Sequence, residues 1–284
     1  MTITPTKSAP PTPGNAYSSL WTNEPTSNTN VWRTHSLVLP TGSDGVQQLS
    51  YYETGLGTNA HPDAYGWLMQ NYEDNDELFV FGFSRGAYMV RSLIGLINQC
   101  GMLRPGAPIT LDQLYDRYRA MNDGNDNSPP TLHEIRSDPD QYTLKDSFME
   151  YYLCRSSRCP ENVRIKYMGI IDTVETVGIP FGKIQNISWS TLGWNKIGLN
   201  PQIESGRHAL ALDEHRFSFR PTLWTVRKSD HNQHAQLSDK VEQRWFVGAH
   251  SNVGGFRVLM NARKFRYAGL LRAAGPYIPL VRRQ

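Results

Sequence analysis

Apolar positions in this chain fall into a few short runs separated by polar stretches, and the spacing within each run predicts an element. The densest run is Leu78-Phe79-Val80-Phe81, four apolar residues in succession, the pattern of a strand buried on both faces. Gly82-Phe83-Ser84-Arg85-Gly86 follows, and then Ala87, Val90, Ile94 and Ile97 recur at intervals of three and four, which marks one buried face of a helix. Gly101 stands where that helix would stop in the left-handed conformation. Upstream, Ser36–Leu39 and Gln48–Tyr52 read as short strands around the turn Thr41-Gly42-Ser43-Asp44-Gly45. Asp63–Asn71 reads as a helix with Tyr65 or Trp67 and Leu68 turned inward.

Downstream, Gly101–Pro160 is a long polar segment holding two helical patterns, Leu111–Met121 and Tyr142–Leu153. It is expected to be a surface excursion or a cap over a site. Val163–Ile171 is a strand that ends on Asp172; an aromatic-rich loop with Phe181, Trp189 and Trp194 leads to a helix expected around Ser205–Leu212. The last clear strand, Arg244–Ala249, runs into His250. These elements predict an α/β, three-layer fold with a mainly parallel sheet and helical insertions. The expected organisation is a disordered Pro/Thr/Ser-rich segment over residues 1–27, a domain over 28–256 with order from near Val31, and a basic tail over 257–284.

Composition narrows the function classes. A chain of 284 residues with 39% hydrophobic and 19% charged residues buries one substantial core. A net charge of +3, scattered along the sequence, gives no nucleic-acid footprint. No apolar run approaches a membrane span and Met1–Gly14 lacks a signal-peptide core. Cys100, Cys154 and Cys159 are odd in number without metal-like spacing, which predicts a reduced, cytoplasmic chain. His231 and His234 sit in a polar loop with no carboxylate placed beside them for zinc and read as solvated. No metal or cofactor is implied.

The chemistry centres on Gly82-x-Ser84-x-Gly86. Between a buried strand and a helix this motif reads as a nucleophile elbow, with the Arg85 backbone N–H aimed at a developing oxyanion. The glycines are expected because side chains two residues either side of the serine would collide with neighbouring elements. The competing reading is a tight packing turn with a serine helix cap. Strands of a parallel sheet share their carboxyl edge, so Ser84, Asp172 and His250, each at the end of an apolar strand, are expected to meet there as nucleophile, acid and base. Glu175 or Asp213 is an alternative acid, Asp172 alternatively caps a turn through Thr173, and His250 alternatively is a buried loop histidine. Thr54–Thr58 is glycine-rich but lacks a P-loop lysine, so a turn is favoured over a phosphate site.

The motifs Phe81-Gly82-Phe83-Ser84-Arg85-Gly86-Ala87-Tyr88, Gly169-Ile170-Ile171-Asp172-Thr173-Val174, Ala209-Leu210-Ala211-Leu212-Asp213-Glu214 with Arg216 and Phe219, and Trp245–Gly255 occur in order. Together with Asn28–Val31 and Tyr51–Thr58 this set resembles the catalytic domain of type VI secretion lipase effectors, an α/β-hydrolase domain widespread in fungi and bacteria. The resemblance implies a serine esterase or phospholipase acting on a small-molecule ester or lipid, with Ser84, Asp172 and His250 in the family's nucleophile, acid and base positions. Asp213-Glu214 and Arg216, also a family feature, are expected to be a buried ion-pair brace. Two departures stand out: the family's first strand with its Asp-Gly-Thr motif has no counterpart before Asn28, which is expected to leave a sheet edge bare, and the sequence after Gly255 diverges. The alternative function is therefore a catalytically impaired, truncated relative.

Overall fold

The computed structural model describes residues 29–52, 60–121, 129–130, 152–154, 163–174, 203–224, 240–255 and 281–282. The predicted α/β fold with a mainly parallel sheet and flanking helices is what these residues form. Strands β1 (Gln48–Leu49), β2 (Glu77–Phe83), β3 (Arg164–Ile171), β4 (Gly206–Ala211), β5 (Val241–Phe246) and β6 (Val281–Arg282) build one sheet in the order β1-β6-β2-β3-β4-β5. From β2 to β5 every pairing is parallel. β2 and β3 slip by one residue between Leu78 and Phe79 and then stay in step to Phe83 opposite Ile171, while β4 and β5 stay in step throughout, to Ala211 opposite Phe246. Parallel strands need long crossovers, and their carboxyl ends therefore lie along one edge although the chain between them is long.

β2 and β3 are largely buried, and helices cover β2. Helix α3 (Arg85–Cys100) packs on β2, on α2 (Ala60–Asn71) and on α4 (Leu111–Ala120), and α1 (Asn30–Ser36) also packs on β2. Far more than one stripe of α3 is covered: Leu93, Ile94, Leu96 and Ile97 are buried, and so are Arg91 and Gln99. Val90, expected inside, is only half-buried. Gly101 ends the helix at φ 80°, ψ −175°, a positive-φ conformation but not the left-handed helical one expected. In α2, Tyr65, Trp67 and Leu68 are all buried. The Tyr65 hydroxyl donates to the Gly101 carbonyl and accepts from the Leu103 N–H, both at 2.9 Å, so its burial leaves no polar atom unpaired.

Several expectations are corrected. Ser36 ends a helix instead of opening a strand, with Leu37 and Leu39 exposed beyond it; Thr29, accepting from the Trp32 N–H, caps that helix. Only Gln48–Leu49 of the second expected strand is extended, after a turn closed by Gly42 and Val46. The excursion is no cap where it is described. Met102, Leu103, Leu114, Tyr118 and Leu153 belong to the core, and Met121 meets Cys100 at the far end of α3, about 24 Å of helix from Ser84. Leu153 bridges to Leu103 in antiparallel fashion, so the second expected helix does not reach it. Ser205–Leu212 is a strand, β4, not a helix: it is clamped between β3 and β5, and Gly206 lies where a Cβ would press on Trp224 and Val241. The outer side of β2 is not wholly bare, because Glu77 and Leu78 pair with Arg282 and Val281 of β6.

At the amino ends of the strands, opposite the carboxyl edge, Arg164 is paired with Glu77 at 2.7 Å and with Glu204, and Lys166 lies 3.5 and 3.3 Å from the same two carboxylates. Such a buried arginine is tolerable only because both partners accompany it.

Candidate active site

β2 delivers Ser84 to the carboxyl edge, and the Ser84 N–H, bonded to the Ile171 carbonyl at 3.0 Å, carries the ladder one residue past the strand. The turn into α3 is sharp enough to hold Ser84 at φ 59°, ψ −123°. Asp172, the residue after β3, has φ 41°. Positive φ in a non-glycine residue costs about 1–3 kcal/mol and survives where surrounding contacts enforce it. The two expected glycines have different roles. A Cβ on Gly82 would stand 2.6 Å from the Ala87 Cα, so the return of the chain into α3 requires glycine there. A Cβ on Gly86 would meet nothing within 4 Å, so the expected collision does not apply to it. The Arg85 amide opens the helix and has no hydrogen-bond partner among the described residues, as expected of a first-turn donor.

His250 is not a strand-end residue, contrary to the sequence expectation. β5 stops at Phe246, and His250 begins the short helix α5 (His250–Val253) after the turn Val247-Gly248-Ala249. β5 itself is half-exposed, with Trp245 open to solvent, as is Val247 in the turn. The turn nonetheless brings the imidazole between the other two residues. His250 Nε2 lies 2.7 Å from Ser84 Oγ, and Nδ1 lies 2.6 Å from Asp172 Oδ2. With Nδ1–H donating to the carboxylate, Nε2 is free to accept from the serine hydroxyl. Asp172 is fully buried, and its second oxygen accepts from the Ala211 N–H at 2.9 Å. The arrangement can take a proton from Ser84 and hold the resulting imidazolium beside a fixed negative charge.

Aromatic rings fix the imidazole plane. Phe83 stacks on it with centroids 4.6 Å apart, and Phe219 meets it edge-on at 4.9 Å. The Arg216 guanidinium lies over the Phe219 ring, its central carbon 3.8 Å from the ring centroid. A Cβ on Gly254 would overlap the Phe83 ring, so the glycine after α5 makes room for the ring that stacks on the imidazole. Beside it, Asn30 at the start of α1 donates its backbone N–H to the Gly254 carbonyl at 2.8 Å and its side-chain amide to the Val253 carbonyl at 2.9 Å. The sequence reading named Phe83 and Phe219 only within longer motifs and assigned them no role. The signal available was their type, aromatic residues directly beside a candidate nucleophile and a charged cluster.

Asp213 does not approach the imidazole as an acid. Its carboxylate accepts from the Gly248 N–H at 2.6 Å. The expected brace is buried at one end only: the Glu214 side chain is 3% exposed and Arg216 is 56% exposed. Arg216 binds Glu214 through Nε and Nη2 at 2.9 and 2.8 Å and holds its carboxyl down to about 2. A second histidine, His208, is buried in β4; desolvation lowers it to about 4, and Nδ1 lies 3.1 Å from Gln243 Oε1. Burial pushes the Cys100 and Cys154 thiols up to about 12, so both are inert. Glu175, Phe181, Trp189, Trp194, His231, His234, Cys159, Thr54–Thr58 and both chain ends, residues 1–27 and most of 257–284, lie outside the described residues. Among the described residues no cluster of three His, Cys, Asp or Glu side chains is placed to hold a metal, and no helix is long and apolar enough to cross a membrane.

Three comparisons with known proteins bear on this site. The family described as T6SS, Phospholipase effector Tle1-like, catalytic domain matches residues 62–266. The uncharacterised protein YEL023C of Saccharomyces cerevisiae is 25% identical over 234 residues, covering 69% of this chain and 30% of its own length. The chain thus spans less than a third of that relative. A solved structure of the Tle1 effector bound to the VgrG spike from the type 6 secretion system is 18% identical, with 63% of this chain and 24% of that chain covered and a TM-score of 0.28.

Proposed function

The chain belongs to the family of Tle1-like phospholipase effector catalytic domains, and from that premise we propose that it is a serine hydrolase cleaving carboxylic esters, lipid esters among them. The observation that carries the reading is the pair of contacts at His250, 2.7 Å to Ser84 Oγ and 2.6 Å to Asp172 Oδ2. Ser84 Oγ attacks the ester carbonyl while His250 Nε2 takes its proton, and the Arg85 N–H donates to the oxyanion. The protonated imidazole then donates to the departing alkoxide, leaving an acyl-serine and a free alcohol. Water, deprotonated by the same nitrogen, attacks the acyl carbonyl and restores the serine with release of the acid. Asp172 keeps the proton on Nδ1 and stabilises the imidazolium in both half-reactions. The family supplies the lipid ester as substrate class; no described contact selects an acyl chain or a head group.

A second reading is a catalytically impaired relative with the same three residues. It is favoured, among the described residues, by the oxyanion site, where Arg85 is the sole donor identified, and by the thin cover of β2, whose outer side pairs there only at Glu77 and Leu78. Loss of one such donor lowers turnover about a hundredfold to a thousandfold. Fluorophosphonate labelling of the purified chain, with mapping of the modified peptide, tests both readings. Modification at Ser84 together with turnover of a short-chain ester supports the hydrolase. Modification with turnover a hundredfold or more below that of an active esterase supports the impaired relative. No modification at Ser84 overturns the assignment of the nucleophile.

A further inference from the structure

The three residues that meet at the carboxyl edge come from β2, β3 and the turn after β5, and the last of these is the weak point. Ser84 and Asp172 directly follow strands that are paired along their length. His250 stands four residues beyond β5, past a turn whose Val247 is exposed. A turn of that kind moves unless its backbone is tied down, and a shift of about 1 Å in a catalytic base costs on the order of a hundredfold in rate.

The ties are unusual in kind. Three successive backbone amides are each held by a side-chain oxygen: Gly248 N–H donates to Asp213 Oδ2 at 2.6 Å, Ala249 N–H to Asn252 Oδ1 at 3.0 Å, and His250 N–H to Glu214 Oε2 at 3.2 Å. Two of the three acceptors are consecutive residues of the turn after β4, which also pairs by backbone, Asp213 N–H donating to the Gly248 carbonyl at 3.1 Å. Glu214 is buried and ionised, and Arg216 occupies it on the solvent side through both nitrogens while resting on Phe219, the ring that meets the imidazole edge-on. Charge-assisted acceptors bind amides more strongly than neutral ones.

We propose that Asp213 and Glu214 are positioning residues for the base: the two carboxylates grip the Gly248 and His250 amides and so fix the imidazole between Ser84 and Asp172. The assignment rests on the hydrolase reading for its consequence in turnover, but its geometric content stands without it. It goes beyond a stabilising ion pair, because the partner that matters is the backbone of the base and not Arg216.

The test uses the full chain in Glu214→Ala, Glu214→Gln and Asp213→Asn forms, with two readouts. The first is the downfield proton resonance of His250 Nδ1–H, assigned by its loss in His250→Ala; it reports the 2.6 Å contact with Asp172 whether or not the chain turns over ester. The second is the rate of fluorophosphonate modification of Ser84. Glu214→Ala is expected to broaden or abolish the resonance and slow modification about tenfold to a hundredfold. Glu214→Gln, which keeps an oxygen for the His250 amide, recovers most of both, and Asp213→Asn behaves likewise. A folded Glu214→Ala chain with an unchanged resonance and unchanged modification rate overturns the proposal. So does a Glu214→Ala chain that no longer folds, since the carboxylate would then serve the fold at large. If the parent chain is not modified at all, the hydrolase reading fails while the resonance still decides this one.

Discussion

At the scale of single residues, the proposed mechanism separates groups that would react from groups that make room. Ser84→Ala and His250→Ala are each expected to remove about a millionfold of the rate, and the double variant no more, because members of such a unit lose their effect together. Asp172→Asn should retain more, a loss of about ten-thousandfold, since the nucleophile and base are still present. Ester turnover across the four proteins checks this, and additive losses would sink the shared mechanism. The two glycines of the elbow give a contrast measurable without any substrate. Gly82→Ala forces a methyl to within 2.6 Å of the Ala87 backbone and should cost about 1–3 kcal/mol. Gly86→Ala meets open space in a helical first turn and should gain about 0.4–1 kcal/mol. Chemical denaturation of both variants decides it; equal effects would mean that the return of the chain past Gly82 is not the constraint.

Among the elements, β4 shows most clearly what the sequence hid. Its residues Gly206–Ala211 are almost all buried and so carry no alternation, and Ala-Leu-Ala suits a helix as well as a strand. β2 and β3 were legible because their apolar runs are β-branched or aromatic and end on turn residues. Ser84 and Asp172 are legible as the residues that follow those strands, whereas the same reading of Arg244–Ala249 misplaces His250, which opens a short helix past the end of β5. The clamp by Asp213 and Glu214 was not legible, since backbone acceptors leave no mark on spacing. β4 also carries a consequence for pH. His208, buried and neutral, has its folded value lowered to about 4 from 6.5. As pH falls from 6.5 the unfolded chain takes up a proton that the folded chain refuses, so stability declines, by about 3 kcal/mol at pH 4. His208→Gln should flatten that part of the curve in urea titrations at pH 7, 5.5 and 4; an unchanged slope would show that His208 is accessible to protons in the fold. Glu214 acts lower on the scale: with its folded value held to about 2 against 4.5, its contribution is full above about pH 4.5 and is lost progressively as pH falls to about 2.

Over the whole molecule, protection against hydrogen exchange should follow the sheet order. β3 is flanked on both sides by parallel partners, while β1 and β6 are joined by two residue pairs each and β5 is open on its outer face. Amides of β3 are expected to exchange only by global unfolding and those of β5 and β6 by local opening; equal protection of β3 and β5 would contradict this ranking. One contact sets a different hierarchy. Asn30 holds Gly254 and Val253 by two hydrogen bonds, so the beginning of α1 and the end of the turn bearing His250 are stapled across nearly the whole described chain. Under tension applied at residues 29 and 255, those two bonds would bear the load before the sheet ladder does, and the staple would act as a mechanical fuse. His250 would be drawn off Ser84 while β2, β3 and β4 were still zipped, so that the contact between the two would be lost well before the molecule came apart.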